Sequence, residues 1–430
     1  MIKPVRDFAG GKVRLYIGDS IEVMRAMKPN SISAIVTDPP YGLEFMGKDW
    51  DTFRKGKPDA NDTGIVWDKR DAKALMAEGK EGTAAFVRSS KSLSNYVAGI
   101  PFFLWSLDWT TEAFRILKPG GHLASFGGTR TFYWLAVALE IAGFECRDTL
   151  SWLYGTGFPK SMDISKAIDK QAGAQREVIG KHERDNLRKN GAGFRNLPNL
   201  EDVSRGEIAI TAPATDAAKE WSGWGTALKP GWEPALLFRK PVEKTVIANV
   251  QEHGTGALNI DASRIAVDGG SPAAQRRKGK ASGRPGEYGD GHAMVSRVTP
   301  ERYATPRAGE ETGRWPANVL FDEEAAAMLG AQQRFFYTAK ASNAQREGKN
   351  TQLGASKHPT VKPVDLMRWL IVLLTPPNGV VLDPFAGSCS TLEAAVEAAT
   401  AVAGIRAVGI DKSPESAEDF DRRFAGRLPI

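Results

Sequence analysis

"GVVLDPFAGSCSTLEAAVEAATAVAGIRAVGID", residues 379–411, decides the fold. An apolar run, Gly379 to Leu382, meets an acid at Asp383, and a turn containing Gly387 follows. Ser390 or Thr391 then opens an alanine-rich helix, and "RAVGID" supplies a second strand that delivers Asp411 at its tip. Strand, glycine turn, helix and strand in that order form the repeating unit of a parallel α/β sheet. A small residue in such a turn lets a ligand approach the backbone and the helix N-terminus, and an acid on the tip of the next strand suits ribose hydroxyls.

The same alternation is present at the other end of the chain. "VRLYIGD" and "ISAIVTD" read as short strands, "TTEAFRIL" and "RTFYWLAVALEIAGF" as helices, and "HLASFGG", after an "LKPGG" turn, as a further strand. Between roughly Lys160 and Lys357 periodicity is weak and Gly, Pro and Asn recur, so a sheet drawn from both chain ends with an inserted region is expected. A length of 430 residues fits one large domain with an insertion, or two domains.

Composition narrows the function classes. Hydrophobic content of 42% and charged content of 25% are those of an ordinary soluble protein. The N-terminal "MIKPVRDFAGGKV" has no apolar signal region, and "LMRWLIVLLTPPNGVVL" is broken by Arg368, Pro376 and Pro377, which argues against secretion and membrane spanning. Cys146 and Cys389 are far apart and share no metal spacing with the histidines, as expected of a reduced, cytoplasmic protein without a zinc site. The net charge of +6 is localised: Ser151 to Lys357 holds 30 Lys/Arg against 24 Asp/Glu, and the rest balances at 27 of each. Arg276, Arg277, Lys278 and Lys280, in the Gly-rich run from Gln275 to His292, read equally as phosphate contacts or as a solvated loop.

The ligand chemistry can be narrowed before any family is considered. "DPFAGS" carries neither the Gly-Lys-Thr/Ser of a phosphate loop nor G-x-G-x-x-G, and an acid stands where a pyrophosphate would sit. A cationic or zwitterionic adenosine compound fits better, and S-adenosyl-L-methionine is one.

Three motifs carry a resemblance. "TDPPYG" at 37–42, "HPTVKP" at 358–363 and "DPFAGSCST" at 383–391, in that order, resemble the β class of amino-methyltransferases that modify exocyclic amines of DNA bases. "LYIGDSIEVM" and "LKPGGHLASFGG" resemble that family too, over about the first 160 and last 75 residues together. "GFPKSMDISKAIDK", "HGTGALNIDASRI", "GRWPANVLFD" and "FFYTAKAS" are similar to methylases carried by phages and prophages.

The resemblance implies a Rossmann-like methyltransferase sheet, with 1–159 as its catalytic part, 358–430 as its cofactor part and 160–357 as an inserted target-recognition region. It implies that Asp38 and the carbonyl of Pro39, braced by Pro40, accept hydrogen bonds from a base amine and free its lone pair, while Tyr41 stacks on the base flipped out of DNA. Asp383, Phe385 and Gly387 are implied at the methionine end and adenine face of S-adenosyl-L-methionine. Asp411 is implied at the ribose, Asp19 near the adenine, and His358, Thr360 and Lys362 by the amino-acid part. Cys389 and Ser390 stand where the family pattern has glycine and threonine.

An acid heading the catalytic motif favours adenine N6 as the target over cytosine N4. A catalytically idle nucleic-acid binder is the competing reading from another class, and monomer and homodimer both stand open. Trp221, Trp224 and Trp232 read first as a local core and second as stacking platforms for bases. The loop "EFMGKDWDTFRKGKPDANDTG" is a candidate closure over the base.

Overall fold

A computed structural model describes residues 3–42, 94–155, 161–182, 208–265, 313–329, 332–333, 336–339 and 361–424. The loop at 44–64, the run Arg276–Lys280, His358 and Thr360 lie outside them.

The strands are β1 (Arg6–Phe8), β2 (Val13–Ile17), β3 (Ile32–Thr37), β4 (Leu117–Phe126), β5 (Glu145–Leu153), β6 (Val178–His182), β7 (Ile208–Thr211), β8 (Trp232–Arg239), β9 (Val319–Asp322), β10 (Tyr337–Ala339), β11 (Val380–Asp383) and β12 (Arg406–Asp411). Ten of them form one sheet in the order β1-β2-β12-β11-β3-β4-β8-β5-β9-β10, and β6 pairs with β7 separately. From β2 to β4 all neighbours are parallel, and β8 runs antiparallel to both β4 and β5.

Strands from the two chain ends meet where β11 lies beside β3, with Val381 opposite Ala34 and Leu382 opposite Ile35. From there the chain winds outward in both directions. Helix α9 (Ser390–Ala398) carries β11 to β12 on one side, and helix α2 (Ser94–Ile116) precedes β4 on the other. Such a reversal of winding opens a crevice at the carboxyl ends of the two central strands, the ligand site of doubly wound sheets.

All six residues of β3 are buried, as a central parallel strand covered on both faces requires. Ala34 and Val36 join one core cluster with α8 (Val364–Leu374), α9 and α10 (Glu415–Phe424), while Ile35 joins the other with α1 (Ser20–Arg25), α2 and α3 (Phe132–Ile141). Nine of the eleven residues of α8 are buried, so its apolar run is core packing. Among the described residues no helix is long and apolar enough to cross a membrane.

Two local readings need correction. "LKPGG" is not a free turn but the start of β4. Ile32 pairs with Leu117 and Ala34 with His122, so the extra residues bulge out of the ladder. Asn249 of α6 (Val246–His253) is fully buried and clamps the bulge, donating to the carbonyls of Pro119 and Thr255. The middle segment does not stand apart from the sheet either, because β8, β9 and β10 extend it. "ALLF", residues 235–238, is an apolar run flanked by Pro234 and Arg239, and central burial makes a strand of it whatever its neighbours signal.

Candidate active site

The catalytic motif begins where β3 leaves the sheet. The Thr37 hydroxyl donates to Asp383 Oδ1 at 2.7 Å, which ties the end of β3 to the end of β11. After Asp38, buried Pro39 and half-buried Pro40, the chain turns at Gly42, whose φ is +67° and where a Cβ would strike the Phe102 ring at 2.8 Å. Thr131, following the glycines after β4, donates to the Tyr41 carbonyl at 2.7 Å and fixes the motif from the opposite side.

Asp38 and Tyr41 belong to a cluster of four polar side chains. The Tyr41 hydroxyl donates to Asp38 Oδ1 at 2.7 Å, and Lys362 Nζ donates to Asp38 Oδ2 at 2.8 Å. Glu233, near the start of β8, lies 2.9 Å from Lys362 Nζ and 3.2 Å from the Tyr41 hydroxyl. Rings of Phe126, Trp152 and Tyr41 surround the ammonium at 4.9, 5.9 and 5.5 Å from their centroids. Burial alone would lower the Lys362 pKa, but the charges of Asp38 and Glu233 outweigh it and hold it above the ordinary lysine value. Burial, then the same two carboxylates, pushes Tyr41 well above the usual phenol range, so it is a neutral hydroxyl. The indole N–H of Trp152, buried beside Lys362, has no hydrogen-bond partner among the described residues.

The cofactor motif occupies the adjoining strand tips. Asp383 is buried and faces inward, accepting from Thr37, from the Phe385 amide at 3.0 Å and from the Thr391 hydroxyl at 2.5 Å. Burial raises its pKa to about 6 in spite of these donors. Asp411 Oδ2 accepts from the Gly387 amide at 2.7 Å, so the turn and the second acid are brought together as the sequence suggested. The Phe385 ring packs against Trp105 and Trp109, each at 5.4 Å. Arg423 supports the turn from behind through the Ser388 carbonyl and Glu393. Asp19 caps α1, accepting from Ile21 and Glu22, and the Gly18 amide bonds to the Asp411 carbonyl, which sets Asp19 beside the same strand tip.

Carboxylates at two strand tips, an aromatic ring and a glycine turn suit a positively charged adenosine compound with free hydroxyls. They do not suit a polyphosphate.

Several residues sit differently from expectation. Lys362, expected by the cofactor's amino-acid part, is bonded to Asp38. Asp383 spends its carboxylate on internal bonds. Trp221 and Trp224 pack edge to face at 5.1 Å but are 42% and 60% exposed, and Trp232 is 38% exposed, so they are not a local core. The helix before them, α5 (Asp216–Glu220), is five residues long and buries only Ala218, too little to cover three indoles. Glu233 and Thr131 escaped the sequence reading. The one signal for Glu233 is a lone acid two positions before the apolar run "ALLF".

Residues 32–422 match the DNA methylase family N6_N4_Mtase. The type II methyltransferase M.HindIII of Haemophilus influenzae is 24% identical over 391 residues, covering 89% of this chain and 87% of that protein. The putative methylase YubD of Escherichia coli is 50% identical over 75 residues, 17% of this chain and 29% of its own. Among solved structures, the cytosine-N4-specific PvuII DNA methyltransferase superposes with a TM-score of 0.47 at 14% identity, over 99% of this chain and 93% of its own. A match that spans both motif-bearing ends and the segment between them means that the chain belongs to this DNA methylase family.

Proposed function

We propose that the protein methylates the exocyclic N6 amine of adenine in DNA. S-adenosyl-L-methionine supplies an activated methyl group on a sulfonium. One observation carries the reading: Asp38 and Tyr41 are fixed at the mouth of the crevice between β3 and β11, next to the turn that joins Gly387 to Asp411.

The chain's own residues supply acceptors and position. A base amine is a weak nucleophile because its lone pair is delocalised into the ring. Asp38 and the Pro39 carbonyl accept its two N–H groups, which turns the lone pair out of the ring plane. A carboxylate has about four lone-pair positions, so Asp38 can serve both Lys362 and Tyr41 and still accept from the amine. Tyr41, its hydroxyl tied down, flanks the flipped base. Asp411, Gly387 and Phe385 hold the cofactor's ribose and adenine, with Asp19 close by, and His358 and Thr360 hold its amino-acid part. Asp383 serves by bracing the turn. Arg276, Arg277, Lys278 and Lys280 contact the phosphates. The acid at the head of the motif favours adenine, and the same acceptors would serve cytosine N4.

The test is to incubate the protein and an Asp38→Ala variant with unmethylated DNA and radiolabelled S-adenosylmethionine, digest to nucleosides and separate them. Label in N6-methyladenine, lost in the variant, is expected. Label in N4-methylcytosine reassigns the base. No label on any DNA, with cofactor bound, overturns the reading.

A further inference from the structure

Asp38 does not hold its counter-ion alone. Lys362 Nζ lies between two carboxylates, Asp38 at 2.8 Å and Glu233 at 2.9 Å. The neutral Tyr41 hydroxyl bridges the same two, and Tyr154, the residue after β5, faces Glu233. Lys362 is 8% exposed, and among the described residues Asp38, Tyr41, Glu233 and Tyr154 are the ionisable groups that face it. Two anions and one cation leave one negative charge uncompensated, in surroundings of low effective dielectric where a charge acts strongly.

The reaction proposed above has a use for that charge. Once the amine nitrogen has bonded to the methyl carbon, whose bond to sulfur breaks and leaves its electron pair on a neutral thioether, the nitrogen is positively charged and carries two N–H bonds. One of them breaks, its electron pair stays on nitrogen, and the proton passes to the Asp38 carboxylate. A carboxylate fully neutralised by one ammonium is a poor neighbour for the developing cation and a poor host for its proton. We propose that Glu233 is a positioning residue that draws the Lys362 ammonium partly off Asp38, so that Asp38 keeps its negative charge toward the amine.

This inference rests on the site being an amine methyltransferase, and the experiment separates the two. Single-turnover methyl transfer is compared for the unchanged protein and Glu233→Gln, at about pH 7.5, on a DNA that the unchanged protein methylates. The dissociation constant for S-adenosylmethionine is measured alongside by calorimetry. The Gln variant is expected to lose about tenfold or more in rate and to keep cofactor affinity within about twofold. If the Gln variant does not fold, Glu233→Asp and Glu233→Asn form a pair of equal size that differs in charge, and Asp should outrun Asn by about tenfold.

Rates indifferent to the charge at position 233, or an equal loss of cofactor binding, overturn the inference alone. No transfer to any DNA by the unchanged protein overturns the reading of the site and the inference with it.

Discussion

Lys362 is a residue on which burial and charge pull in opposite directions, and charge prevails because two carboxylates lie within 2.9 Å. Lys362→Met would leave Asp38 and Glu233, each about one-fifth exposed, facing one another without a cation. Breaking a buried pair from one side costs on the order of 3 kcal/mol, and this variant is expected to lose that much in urea unfolding at neutral pH, together with methyl transfer. A loss under about 1 kcal/mol would show that water already screens the cluster. At this scale the sequence was legible where the chemistry is contiguous. Asp38 and Tyr41 are three positions apart and declare each other, whereas Glu233 reaches Tyr41 across 192 positions and Thr37 reaches Asp383 across 346. No local pattern announces such partners, which is why Asp383 reads as a ligand acid although its oxygens are taken up inside the fold.

Strand β4 shows how an element can be right in type and wrong in detail. "HLASF" reads as a strand and is one, but its first residue, His122, is buried between β3 and β8 opposite Arg239. Burial, then the charges of Arg239 and Arg147, lowers its pKa from 6.5 to about 4. A depressed base binds its proton more weakly folded than unfolded. Its contribution is therefore present above about pH 6.5 and lost as pH falls through about 4, a difference of roughly 3 kcal/mol at the full shift. Asp383 runs the other way, since a raised carboxyl costs stability as pH climbs from about 4 toward 6. His122→Gln keeps Asp383 and removes only the first effect. The variant should lose less stability than the unchanged protein between pH 7.5 and 4 in urea titrations, by roughly 3 kcal/mol, and parallel curves would refute the assignment. The missed strand β8 has a similar lesson. Its edges carry Trp, Pro and Arg, which read as loop, while the buried "ALLF" takes its state from neighbouring strands that sequence periodicity does not see.

For the whole molecule, charge and fold divide the chain differently. The sheet takes strands from both ends and from the middle, but the excess of positive charge lies only in the middle, since the remainder balances at 27 of each sign. Affinity for DNA carried by such an excess comes from releasing counterions and must weaken as salt rises, by a slope near 0.9 per phosphate neutralised on a log–log scale. The four cations Arg276, Arg277, Lys278 and Lys280 lie outside the described residues, so their test is thermodynamic. Replacing all four by alanine should reduce the salt slope of DNA binding by up to about 3.6 and weaken binding to all sequences alike, because phosphate contacts carry no base identity. The methylated base and its surrounding sequence should stay unchanged, since in the proposed reading Asp38 holds the base amine and contacts with base edges, not phosphates, read the sequence. An unchanged slope would mean that these cations are solvated and that the DNA lies elsewhere. An altered target sequence would mean that they read bases rather than hold the backbone.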